Sequence, residues 1–163
     1  MLTFSYNMSD YWNLKIEPYA QWLFNVPVEH GTSYSVLNRF EFYLDKALVN
    51  EGRGENFGVD MTLERYLHNG WYGMLNGSFF RSRYKGGDGV WRHSAFDRNY
   101  IVNLLCGKEW MLGAKRNNML SVNVKATLQG GDRYSPIDVK ATMAHPDYEV
   151  QYDLTKYYKM DNT

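Results

Sequence analysis

Apolar and polar positions alternate along most of this chain with a period of two, the pattern of strands with one apolar and one polar face. Between Tyr11 and Phe24 the even positions are Trp12, Leu14, Ile16, Pro18, Ala20, Trp22 and Phe24. The odd positions are Tyr11, Asn13, Lys15, Glu17, Tyr19, Gln21 and Leu23. Over Phe57–Leu67 the odd set is Phe57, Val59, Met61, Leu63, Arg65 and Leu67, against Gly58, Asp60, Thr62, Glu64 and Tyr66. Met119–Gln129 sets Leu120, Val122, Val124, Ala126 and Leu128 against Ser121, Asn123, Lys125 and Thr127. Tyr100–Leu112 sets Tyr100, Val102, Leu104, Cys106 and Trp110 against Asn103, Gly107 and Glu109. Trp71–Arg83 is noisier, and Leu2–Tyr6 is a short piece of the same kind. No long stretch carries a 3.6-residue period, so six strands and no long helix are expected.

Turn signals come in two lengths. Asn7–Asp10, His68-Asn69-Gly70 and Gly113–Asn117 read as tight turns, and Asn-Gly is a strong hairpin cue. Residues 25–53, 84–98 and 130–156 read as long loops, rich in Gly, Asp, Arg, Tyr and Ser. Alternating tight turns with long loops puts every long loop at one end of the strands.

The clear strands run for about 11 to 14 residues. That is long beside the ~5–6 typical of globular proteins, and it suits the ~9–11 residues a strand needs within a bilayer. Aromatic residues collect at the strand ends. Tyr11, Trp12, Trp71 and Trp110, with Tyr66 and Tyr72, lie near the tight turns, while Trp22, Phe24, Phe79 and Tyr100, with Phe57 and Phe80, lie near the long loops. Trp12 and Trp22 share a phase. At ~3.3 Å per residue and a tilt near ~45°, their separation spans roughly 23 Å, against an apolar band about 25 Å tall. Two such rows are what rings at two membrane–water interfaces would form. The apolar face also carries Arg65 and Lys108 near the tight turns, where an outward charge costs only ~0–1 kcal/mol. Lys15, Glu17, Asp60, Glu64, Asn103, Glu109 and Lys125 would then face a wet lumen. The expected fold is all-β: six to seven strands of an antiparallel, up-and-down transmembrane barrel, with short turns on one side and long loops on the other. A soluble β-sandwich with aromatic-rich strands is the competing architecture.

Composition narrows this further. The 163 residues hold 18 basic and 18 acidic side chains, so bulk charge excludes a basic nucleic-acid binder. A mean hydropathy of −0.54 is too polar for a helical membrane protein, and no run approaches the ~18 apolar residues of a membrane helix. A single cysteine, Cys106, rules out an internal disulfide framework. The first residues, MLTFSYNMSDYW, lack a basic stretch followed by an apolar one, so either the protein stays inside the cell or the chain is a piece of a longer one.

No motif points to catalysis. Tyr84–Gly89 is glycine-rich, but no Gly-Lys-Ser/Thr follows, so it reads as a flexible surface loop and not a phosphate loop. His145-Pro146-Asp147 matches the tripeptide of J-domain chaperones without their flanking helices. His30, His68, His93 and His145 show no metal-ligand spacing. Asn7-Met8-Ser9 and Asn76-Gly77-Ser78 match glycosylation sequons, a pattern common by chance. Asp60 and Glu64 share a strand face about 13 Å apart, beyond the ~5–9.5 Å of a glycosidase pair. Cys106 projects with the apolar face and reads as a small packing residue. No enzyme and no cofactor are called for.

Residues 54–92 (GENFGVDMTLERYLHNGWYGMLNGSFFRSRYKGGDGVWR), 98–113 (RNYIVNLLCGKEWMLG) and 130–138 (GGDRYSPID) resemble the barrel domain of TonB-dependent outer-membrane receptors. Val26-Pro27-Val28 and Leu48–Gly52 fit the same family's preceding loop. The resemblance implies a 22-stranded barrel in the Gram-negative outer membrane, filled by a plug domain. It also implies active uptake of a scarce small ligand (an iron chelate, cobalamin or a glycan) energised through TonB. Residues 1–163 would be an incomplete barrel domain without plug or final strands, Tyr157–Asp161 opening a seventh strand. Its partners would be outer-membrane lipid, the plug and remaining strands, TonB and the ligand, with no nucleic acid. Asp88, Trp91, Arg92, Arg133 and Tyr134, polar or aromatic residues in long loops, are the candidate ligand contacts. The competing function is a soluble β-sandwich module whose exposed rings stack on carbohydrate.

Overall fold

The computed structural model describes residues 2–38, 46–115, 117–147 and 149–160. Among the described residues the fold is all-β, with one short α-helix and a 3-10 turn at Val36–Asn38. The strands are β1 (Phe4–Ser9), β2 (Trp12–Val28), β3 (Val49–His68), β4 (Trp71–Lys85), β5 (Trp91–His93), β6 (Tyr100–Leu112), β7 (Asn118–Gln129), β8 (Arg133–Tyr134) and β9 (Tyr158–Lys159); α1 is Val139–Ala144. An antiparallel sheet follows the order β1-β2-β3-β4-β6-β7, with β5 paired to the end of β4. Among the described strands the path does not close, and β1 and β7 are its edges.

All six expected strands form, but their ends differ. β2 runs on to Val28 and β3 starts at Val49, so the segment expected as a loop over 25–53 is strand at both ends. The second loop contains β5, and the third contains β8 and α1. β1 continues to Ser9, which pairs with Trp12, so the first turn is Asp10-Tyr11 and not Asn7–Asp10. Tyr157–Asp161 does not open a seventh strand of the main sheet. Tyr158 and Lys159 pair with Tyr134 and Arg133 in a separate ribbon, closed by the Met160 amide on the Asp132 carbonyl at 2.9 Å; Asp161 lies outside the described residues.

The chain folds as two compact units. The first draws on Met1–Tyr19, Gly58–Phe80 and Tyr100–Gly130, the second on Ala20–Phe57, Arg81–Asn99 and Gly131–Thr163. In the first unit, Asn69 (φ 53°) and Gly70 (φ 77°) make the two-residue turn between β3 and β4. Positive φ at both positions matches the twist of a tight hairpin. A side chain at Gly70 would also strike the Glu109 carbonyl, whose amide donates to the Gly70 carbonyl at 2.7 Å.

Register in the first unit sorts side chains onto two faces. Leu75 pairs with Leu104, Gly73 with Cys106 and Trp71 with Lys108; Leu104 pairs with Ala126 and Cys106 with Val124. These share the apolar face. Leu75, Leu104, Leu120, Val122, Val124 and Leu128 are all exposed there. The described residues include four buried apolar side chains, Val26, Val28, Tyr84 and Ala95, and all four belong to the second unit. Among the described residues, no apolar side chain of the first unit is buried.

The second unit holds a small core. Asn25 has φ 55° inside β2, and the alternation reverses there. Trp22 and Phe24 are exposed, yet Val26 and Val28, in the same even phase, are buried. Gly52 lies under Val26 and Val28, and Gly54 under Leu23 and Leu37. A residue in the left-handed region adds the twist of a bulge and moves the following side chains to the other face.

Candidate functional site

The long segments of the second unit converge on Asp97, whose side chain is fully buried. Its Oδ1 accepts from the Ser82 amide at 3.1 Å and from Asn99 Nδ2 at 3.0 Å. Its Oδ2 accepts from His93 Nδ1 at 2.6 Å and from Arg133 Nη2 at 3.2 Å. Arg133 Nε also donates to the Asp97 carbonyl at 3.0 Å. Four donors on a buried carboxylate offset the cost of removing it from water. The turn that presents it is local: the Asp97 amide donates to the Ser94 carbonyl, and the Phe96 amide to Ser94 Oγ. Asn38 reaches the same turn, with Oδ1 accepting from the Ala95 amide at 2.5 Å.

A second staple holds β5. Arg92 grips Asp88 with both terminal nitrogens, Nη1 to Oδ1 at 2.9 Å and Nη2 to Oδ2 at 2.6 Å. Its Nε donates to the Thr155 carbonyl at 2.9 Å. The Arg92 guanidinium holds the Asp88 carboxyl below its ordinary value, and Asp88 holds Arg92 above its own. The glycine-rich run read as a flexible surface loop is instead packed. The Gly31 amide donates to the Gly87 carbonyl at 3.2 Å and the Asp88 amide to the Thr32 carbonyl at 2.9 Å. A side chain at Gly87 would strike the Glu29 carbonyl, so the approach requires glycine.

Of the five candidate ligand contacts, Asp88, Arg92 and Arg133 are therefore committed to these internal bonds. Trp91 and Tyr134 remain 41% and 45% exposed. The Arg83 guanidinium lies 5.7 Å from the Trp91 ring centre, and Tyr134 tilts against Tyr158 at 6.0 Å. Sequence reasoning missed Asp97, His93 and the pair Arg83–Glu55, in which Nε donates to Oε1 at 2.5 Å. The four-residue spacing of His93 and Asp97 was visible but carries no strand or helix signature here. A cavity of about 210 Å³ in this unit is lined by Leu23, Leu37, Asn56, Arg83, Ser94 and Phe96, among others. It falls short of the ~300–1,000 Å³ of small-molecule sites.

The polar face of the first unit is tied together by side chains. Lys15 pairs with Glu17 at 2.8 Å, and Thr3 Oγ1 donates to Glu17 Oε1 at 2.9 Å. Ser78 Oγ donates to Asp60 Oδ1 at 2.5 Å, Asn76 Nδ2 to Thr62 Oγ1 at 2.9 Å, and Thr127 Oγ1 to Asn103 Oδ1 at 2.9 Å. The Tyr72 hydroxyl donates to Asn123 Oδ1. By strand phase Glu64, Glu109 and Lys125 stand on this same face, and Lys125 is exposed on β7. The apolar face carries Trp12, Trp71 and Trp110 at its turn end. Tyr11 lies in the first turn and stacks on His68, ring centres 3.6 Å apart. In the second unit Trp22 meets Phe57 edge-on at 5.5 Å. No cluster of metal-ligating side chains occurs among the described residues, and no helix is long and apolar enough to cross a membrane.

Comparison with protein-family models, with curated proteins and with solved structures finds no match to this chain.

Proposed function

We propose that the chain is part of the barrel of an outer-membrane receptor of the TonB-dependent type, which takes up a scarce small ligand. The observation that carries this reading is the uncovered apolar face of the first unit, opposite a polar face linked by hydrogen bonds. In water such a face would need a second layer, as in a β-sandwich. In a bilayer, lipid is the second layer and the polar face lines the lumen. The long segments of the second unit are then extracellular. Trp91 and Tyr134 are the ligand contacts, and Asp88, Arg92 and Arg133 position the loops that present them. The remaining strands, the plug and TonB belong to the complete receptor.

Cys106 provides the test, because it is the single cysteine and lies on the apolar face. In detergent micelles a charged maleimide should label Cys106 slowly, and should label Lys125→Cys in a Cys106→Ala background quickly. Equal labelling of the two, or a soluble monomer that unfolds cooperatively in plain buffer, overturns the membrane reading in favour of a soluble module.

A further inference from the structure

At its turn end the apolar face of the first unit contains a hollow of about 360 Å³. Gly73 and Cys106, register partners with small side chains, form its floor. Leu63, Leu75 and Leu104 wall it, and Trp12, Trp71 and Arg65 stand at its margin. Two cations rest on the tryptophans beside it. The Arg65 guanidinium is 5.5 Å from the Trp12 ring centre, and Lys108 Nζ is 4.3 Å from that of Trp71 and 5.3 Å from that of Trp110. Among the described residues neither is paired with a carboxylate, and Arg65 Nε is buried without a hydrogen-bond partner.

An apolar hollow with the unpaired cation Arg65 at its margin, and a second cation, Lys108, stacked on the Trp71 that lines it, calls for one molecule with a hydrocarbon part and an anionic end. We propose that it seats an acyl chain of a single anionic phospholipid, with the phosphate between Arg65 and Lys108. The inference rests on the reading of this face as lipid-facing and adds a specific headgroup to it. Free phosphate would leave the hollow empty. A zwitterionic head would bring its own ammonium against Lys108. The tryptophan rings hold both cations at the level where headgroups lie, and cation–ring attraction strengthens where water is thin. The Arg65 Nε–H then gains the acceptor it lacks.

Tryptophan quenching by brominated lipids in mixed micelles of the full chain reads this directly. Brominated phosphatidylglycerol should quench at about fivefold lower lipid fraction than brominated phosphatidylcholine, the scale of one basic residue against an anionic surface. Arg65→Gln with Lys108→Gln should bring the two lipids together. Cys106→Phe, which fills the hollow and keeps both charges, should weaken quenching by both. Equal quenching of the unaltered chain by the two lipids overturns the site. So does loss of the preference on adding millimolar inorganic phosphate, which would assign the cations to the free anion. Absence of quenching by either lipid removes the membrane reading itself.

Discussion

Arg133 holds Asp97 twice, through the main-chain carbonyl at 3.0 Å and the carboxylate at 3.2 Å, across 36 residues of sequence. Removing the carboxylate leaves Arg133 Nη2 and His93 Nδ1 without their acceptor, while Arg133 Nε keeps the main-chain carbonyl. Asp97→Ala should destabilise the second unit by about 3–5 kcal/mol, the scale for breaking a buried ion pair from one side. Asp97→Asn keeps a carbonyl oxygen for the Ser82 amide and should cost less. Urea midpoints in detergent, with protease cleavage within 84–98, distinguish the three chains. Equal midpoints would mean that the contacts carry no stability.

Asp88 sets an acid limit on the same loops. Its native carboxyl titrates below the ordinary 3.8 because Arg92 holds it charged. The contribution to stability is therefore complete above 3.8 and is lost as the pH falls through the lower native value. Asp153, held by Thr155 and Lys156, titrates at about 2 and follows the same sign. Carboxyl carbon shifts followed by NMR should give both midpoints under 3.8, and Arg92→Gln should return Asp88 towards it while leaving Asp153 in place.

Gly107 lies between Tyr72 and Asn123, and a methyl group there would overlap the tyrosine ring. Gly107→Ala should cost about 1–3 kcal/mol as an overpacking change. Tyr72→Ala in the same chain should recover part of that loss, a non-additivity that a double-mutant cycle in urea would detect.

Among the described strands the outer edges of β1 and β7 are unpaired, and every described residue of β7 is exposed. Open edges beside an uncovered apolar face promote association. The chain should precipitate from plain buffer, disperse in detergent and form no pore of defined conductance in planar bilayers. A reproducible single-channel step from the chain alone would contradict this.

Period two located the six strands because each keeps one wet and one apolar face over most of its length. It ended β2 too early: Trp22, Phe24, Val26 and Val28 keep one phase in the sequence, and the left-handed φ at Asn25 turns the last two inward. The loop candidates were harder to assign. Exposure by sequence type suggested Arg92 and Arg133, but their partners include Thr155, 63 residues away, and Asp97, 36 away. Pairing over such distances leaves no local pattern. Trp91 and Tyr134 are exposed, and their contacts are ring contacts to Arg83 and Tyr158.

The sheet path β1-β2-β3-β4-β6-β7 is antiparallel throughout and has six members. Its first and last strands therefore run in opposite directions. A strand added beside β7 must run as β1 does, and one added beside β1 must run as β7 does. An even number of further strands would bring the two growing edges together antiparallel. An odd number would force one parallel seam, with the slanted and slightly weaker bonding of parallel pairs.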